Sequence, residues 1–260
     1  MVRWNEHLQK KEVSCQDQGI KYCDMKFTIF NNISIEILKS RPKVAINFSK
    51  SYDKVFVIGM NKTGTTTLYA TLKDLGFEIG DSKVGEVMAA EYFQTSSIRN
   101  LNNYIESAQA FQDVPFSIPG FYKQLAENYP KAKFILTIRS SSEQWLNSLK
   151  KYQTVRLSPK SNQLITEGDI EKSNYVFSGW TQIMMKGIFD FPNVALYSDG
   201  FKKVYEQHNA DVIDYFKKNQ ERLLVINVAQ ENSIKRFYKF LEVPANLQRL
   251  KSFKQYNKSR

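Results

Sequence analysis

Between residues 54 and 245, short and almost wholly apolar runs alternate with longer stretches in which apolar residues return every three or four positions. The first run, residues 54–59, predicts a strand, and residues 64–75 predict a helix with Leu68, Leu72 and Leu75 on one face. "GFEIG" at 76–80 predicts a short second strand, completing a βαβ unit. Weaker helical patterns cover 83–93 and 98–107, a third strand is expected over 108–115 where Pro115 stops it, and a helix follows over 120–130. "KAKFILTIR" at 131–139 is continuously apolar, as expected of a strand buried on both faces. Ser140, Ser141 and Ser142 supply a cap for a helix over 142–152. Aromatic-rich helices over 166–190, a helix over 204–219, a strand over 222–228 and a helix over 232–244 complete the pattern.

Strands of this kind separated by helices predict an α/β fold of three layers: a P-loop-like central parallel sheet with helices on both faces. Residues 1–50 lack a clean period, although "KFTIFNNISIEIL" at 26–38 has the composition of two short strands. The expected organisation is an accessory segment, 1–50, and a single domain, 51–260.

Composition narrows the function classes. The formal net charge of +11 favours anionic partners, but the basic residues are dispersed and no nucleic-acid motif is present, so specific nucleic-acid binding is not expected. Cys15 and Cys23 are the only cysteines, too few for a disulfide framework or a four-cysteine zinc site. No run approaches the roughly 18 apolar residues of a membrane span, and the N-terminus has no signal-peptide core, so a cytoplasmic protein is the default expectation.

The chemistry concentrates at "VFVIGMNKTGTT", residues 55–66. Gly59 and Gly64 have the spacing of a nucleotide P-loop, yet Thr65 stands where that loop has its lysine, and Lys62 comes two places before Gly64. A turn between a strand and a helix presents backbone N–H groups to an anion; Gly64 allows close approach and Thr65, Thr66 and Thr67 carry hydroxyls. A kinase would also hold magnesium with an acidic residue at a strand end, where this chain has Arg139. An earlier lysine suits a single 5′-phosphate and the bridging oxygen of whatever leaves it.

"GMNKTGTTTL" is similar to the 5′-phosphosulfate loop of the sulfotransferases that use 3′-phosphoadenosine-5′-phosphosulfate (PAPS), and "AKFILTIRSSSEQWLNSL" resembles their 3′-phosphate motif. The likeness to a bacterial-type branch of that family spans about residues 54–245, through "VYEQHNADVIDYFKKNQERLLVINV" and "FYKFLEVP". It implies that Lys62 stabilises the leaving phosphate oxygen, that Thr63, Gly64, Thr65 and Thr66 surround the 5′-phosphate, and that Arg139 grips the 3′-phosphate. The family's serine falls by spacing on Asn147; reading "SSSEQW" as one residue longer keeps Trp145 in place and assigns Ser148 instead.

Many relatives carry a histidine base at the end of the third strand, two residues before a proline. "FQDVP" puts Asp113 there, with Pro115 as the proline; His7 and His208, the only histidines, fall on a polar stretch and a charged helix. Apolar neighbours would raise the Asp113 carboxyl towards useful basicity and Lys62 would lower it. The resemblance implies an enzyme that takes PAPS, without a metal, and a small-molecule, lipid or carbohydrate acceptor. Residues 80–98 and 152–190, with Tyr175, Phe177 and Trp180, are expected to form the acceptor pocket or else simply core. The other readings are a P-loop kinase with a displaced lysine and a non-catalytic nucleotide- or polyanion-binding module.

Overall fold

A computed structural model of the chain describes residues 51–157 and 163–254. The segment 1–50, with the strands expected over 26–38 and with Cys15, Cys23 and His7, lies outside the described residues. Four parallel strands, β1 (Val55–Val57), β2 (Ala110–Phe111), β3 (Lys133–Thr137) and β4 (Leu223–Ile226), form one sheet in the order β2-β1-β3-β4. Around it lie α1 (Thr65–Asp74), α2 (Ser82–Thr95), α3 (Leu101–Glu106), α4 (Phe121–Asn128), α5 (Ser142–Leu157), α6 (Glu167–Glu171), α7 (Trp180–Phe189), α8 (Asp199–Tyr215) and α9 (Ser233–Phe240). Among the described residues no helix is long and apolar enough to cross a membrane.

The period of two along the strands explains the layers. Phe56, Phe134 and Leu136 enter one core with Met88 of α2, Tyr122 of α4 and Phe216 beyond α8. Val55, Val57, Ile135 and Leu224 enter the other, against Leu68 and Leu72 of α1 and Phe237 of α9. Both faces of the sheet are therefore covered, which is why the strands read as unbroken apolar runs. A fully buried side chain such as Phe56 or Phe134 contributes roughly 2–3 kcal/mol of hydrophobic stabilisation.

The elements differ from the sequence pattern at informative places. Residues 76–80 are not a strand: only Ile79 bridges to Ala110, because the Glu78 carbonyl accepts both the Gln109 and Ala110 N–H groups and the ladder does not repeat. The strands are shorter than their apolar runs, whose last residues leave the sheet to build the site. α5 runs to Leu157, and α8 starts at Asp199, where the Ser198 hydroxyl accepts from the Gly200 N–H. As expected, a serine caps α5: the Ser141 hydroxyl accepts from the Gln144 N–H at 3.1 Å.

From β1 the chain passes to β2 on one side and then to β3 on the other. A crevice opens at such a reversal, beyond the carboxyl ends of the strands.

Candidate active site

A cavity of about 970 Å³ occupies that crevice, and the continuation of every strand reaches it: Lys62 and Gly64 after β1, Asp113 after β2, Arg139 after β3, Val228 after β4. A third core cluster, including Met60, Trp145, Phe201 and Tyr205, supports it from behind.

The loop between β1 and α1 is held by its carbonyls. His208 Nε2 bonds to the Ile58 carbonyl at 2.9 Å, Thr63 Oγ1 donates to the Met60 carbonyl at 2.6 Å, Trp145 Nε1 donates to the Asn61 carbonyl at 3.0 Å, and Arg139 Nε donates to the Lys62 carbonyl at 2.6 Å. With three carbonyls tied to the surrounding protein and the Met60 carbonyl to the loop's own Thr63, the loop is prepared to offer N–H groups to an anion at the start of α1. Gly64 has φ +109°, and a Cβ there would lie 2.5 Å from the Val228 side chain, so its place requires glycine on both counts.

The hydroxyls are not equivalent. Thr63 is fully buried and its Oγ1 lies 2.5 Å from Thr137 Oγ1, so only its backbone is positioned for a ligand. The Thr65 side chain is also buried and hydrogen-bonds the Asp113 carboxylate. Thr66 is exposed and lines the cavity.

Lys62, with φ 68°, places Nζ 4.0 Å from the centre of the Tyr152 ring. Burial and the Arg139 guanidinium lower its pKa, and Asp113 opposes them. Arg139 spends Nε on the Lys62 carbonyl, while its backbone N–H donates to the Tyr205 hydroxyl at 2.9 Å. Its terminal nitrogens make no hydrogen bond among the described residues. The Tyr205 ring in turn stacks on Trp145 at 4.5 Å, so one buried aromatic pair fixes both the loop and the end of β3. Ser148 lines the cavity; Asn147 is exposed and its side chain donates to Glu143 Oε1 at 3.3 Å.

Asp113, at φ 58°, lies two residues beyond the end of β2. Its Oδ1 is shut off from solvent and without a hydrogen-bond partner among the described residues. Burial raises its pKa to about 6, against the Thr65 hydrogen bond, with Glu86 adding to the rise and Lys62 reducing it. That is the balance expected from the apolar neighbours and the lysine. His208 does not line the cavity: it shares the inner face of α8 with Phe201, Tyr205 and Val212 and is buried behind the loop. Burial lowers its pKa, and the Ile58 carbonyl can only accept, so the neutral ring carries its proton on Nε2. It lies on a charged helix, as expected, but on that helix's buried face.

The far end of the cavity is made of side chains. Glu86 on α2, Tyr152 and Arg156 on α5, Tyr175, and Trp180 and Met184 on α7 line it. Tyr175 and Trp180 therefore face the cavity rather than only filling core, whereas Phe177 is not part of its lining. Glu86 was not singled out by sequence reasoning; its signal, a carboxylate beside Gly85 on a helix of buried small residues, is visible only with α2 in place. A Cβ on Gly85 would lie 2.4 Å from the Val114 carbonyl, so the helix rests directly on the segment that carries Asp113.

The geometry can bind an anionic group at the loop and remove a proton beside it. Comparison with protein families matches residues 54–259 to a family described as a sulfotransferase domain. Comparison with curated proteins finds no match. The family match spans most of the chain, and its boundaries take in all four strands and every residue of the cavity: the chain belongs to the sulfotransferase domain family.

Proposed function

We propose that the protein transfers the sulfuryl group of PAPS to a hydroxyl, or an amine, of a small-molecule, lipid or carbohydrate acceptor. The observation that carries this reading is the bond from Arg139 Nε to the Lys62 carbonyl: two motifs 77 residues apart in sequence meet at one cavity. The loop N–H groups and Thr66 receive the 5′-phosphate, and Arg139 and Ser148 the 3′-phosphate. PAPS supplies an electrophilic sulfur joined to a phosphate that can leave. The acceptor oxygen bonds to that sulfur as the bond to the bridging oxygen breaks. Asp113 takes the acceptor's proton, while Lys62 and the loop N–H groups stabilise the charge left on the phosphate. The products are the sulfated acceptor and adenosine 3′,5′-bisphosphate.

Asp113 lines the same cavity as Lys62 and its carboxyl is raised by burial, which supports its role as the base. A kinase reading has less support, because Thr65 follows Gly64 and Arg139 follows β3 where that chemistry needs a lysine and an acid. Calorimetric titration with adenosine 3′,5′-bisphosphate, beside ATP with magnesium, separates the two. Micromolar binding of the bisphosphate with little affinity for ATP is expected. Tight ATP binding with no response to the bisphosphate would replace this proposal with the kinase.

A further inference from the structure

Two carboxylates share the cavity with the cations Lys62, Arg139, Lys151 and Arg156. In a protein of net charge +11, two carboxylates, Asp113 and Glu86, stand close enough for Glu86 to raise the pKa of Asp113. The packing of Gly85 on the Val114 carbonyl holds them together. Glu86 is anchored: Oε1 accepts from the Tyr175 hydroxyl at 2.5 Å, and its backbone carbonyl accepts from Trp180 Nε1 at 2.8 Å.

It has no ion pair within 4.0 Å among the described residues. Arg156 and Lys83 act on it only through their fields, and the hydrogen bond and ring contact of Arg156 go to others: its guanidinium lies 3.5 Å from the centre of the Tyr175 ring and Nη1 donates to the Tyr152 hydroxyl at 3.0 Å. Burial raises the Glu86 pKa despite the Tyr175 hydrogen bond and the Arg156 charge, the mark of a carboxylate short of compensation. Lys62 Nζ lies over the Tyr152 ring at 4.0 Å and is assigned to the donor in the proposed reaction.

Resting on the sulfuryl-transfer reading, we infer that the acceptor has an aromatic or apolar body with two polar ends, a reacting hydroxyl at Asp113 and a protonated amine held by Glu86. Trp180, Met184 and Ile188 supply the apolar wall along that body. The amine would relieve both the unpaired charge of Glu86 and its repulsion with Asp113, while an acceptor with an acidic end would add a third negative charge to the pocket.

The test uses matched acceptors that differ only in the amine: tyramine against para-ethylphenol, and para-(aminomethyl)benzyl alcohol against para-methylbenzyl alcohol. With PAPS as donor, kcat/KM for the amine member of each pair should exceed that of its partner by about tenfold or more, and in Glu86→Gln the ratio should fall to about two or less. Equal rates within the pairs, a preference that survives Glu86→Gln, or transfer to none of the four would overturn the inference. Binding of adenosine 3′,5′-bisphosphate, measured on both proteins, keeps the failures apart. If the wild type binds the bisphosphate and shows no amine preference, only the acceptor assignment falls; if it does not bind it, the donor reading falls. Should Glu86→Gln lose the bisphosphate through misfolding, Tyr175→Phe, which frees the carboxylate without removing its charge, should show a reduced but measurable amine preference, and an unchanged one would overturn the role of Glu86.

Discussion

At the donor end of the cavity a loop offers backbone, with the carbonyls of Ile58, Asn61 and Lys62 bonded to side chains from other elements and that of Met60 to the loop's own Thr63. At the acceptor end, Glu86, Tyr152, Arg156, Tyr175 and Trp180 come from α2, α5, α7 and the segment before α7, and it is side chains that meet. Backbone N–H groups at a helix start suit any phosphate-like anion and need only the loop's conformation. In the proposed reaction, side chains on separate helices would set the shape and charge that an acceptor must match. Lys62 and Asp113 stand where the two regions join.

The sharpest break in that comparison comes from removing a junction residue. Lys62→Ala should lower kcat for sulfuryl transfer by about 10³-fold and weaken adenosine 3′,5′-bisphosphate binding less than about tenfold, since the role proposed for Lys62 is to act on charge that develops as the sulfuryl group departs. Steady-state kinetics and calorimetry on the same variant check both halves. Loss of binding equal to the loss of rate would make Lys62 a donor-binding residue only.

Asp113→Asn should lower kcat by about 10²-fold to 10³-fold. In the wild type the rate should fall as pH drops through about 6, where the carboxylate takes up its proton. Stability should move the other way. The folded-state pKa lies above the ordinary value of 3.8, so ionisation destabilises the fold, with nothing lost below pH 3.8 and the full cost present above about 6. Asp113→Asn, which mimics the protonated form, should therefore be more stable than wild type at pH 7.5 by about 1–2 kcal/mol and gain nothing near pH 4. Denaturant unfolding at the two pH values measures it; equal differences at both would deny that burial raises this carboxyl.

Within each region the expected effects are smaller. Gly85→Ala pushes α2 off the Val114 carbonyl and should cost about 1–3 kcal/mol of stability, with turnover falling more than bisphosphate affinity. Trp145→Phe keeps a ring against Tyr205 but removes the donor to the Asn61 carbonyl; about 1 kcal/mol of stability and a few-fold of bisphosphate affinity should go with it. If Gly85→Ala weakened the bisphosphate as much as turnover, the two ends would not be separable.

That contrast also explains what could be read before the fold was known. The strands were legible because β1, β3 and β4 are buried on both faces, and the loop because its chemistry is local: strand, small residues, lysine, glycine, helix lie within 20 residues. Residues 76–80 misled because an apolar run says nothing of whether its partner's N–H groups repeat. Thr63 and Thr65 look alike in sequence as hydroxyl donors, yet Thr137 and Asp113, both distant in the chain, take up their side chains. Glu86 had no local signal: only the contact between Gly85 and Val114 sets it beside Asp113. His208 falls on a charged helix in sequence, and only the inner face it shares with Phe201, Tyr205 and Val212 shows that it is buried.

The central claim is that the donor end holds two phosphates by separate means, the 5′-phosphate on the loop and the 3′-phosphate on Arg139. It is tested most directly by a cycle in which adenosine 3′,5′-bisphosphate and adenosine 5′-monophosphate are each titrated into wild type and Arg139→Ala. Removing the 3′-phosphate should weaken binding to wild type by at least about thirtyfold, the worth of a charge-assisted pair, and to Arg139→Ala by less than about threefold. The same loss in both proteins would show that Arg139 does not hold the 3′-phosphate and would contradict the account.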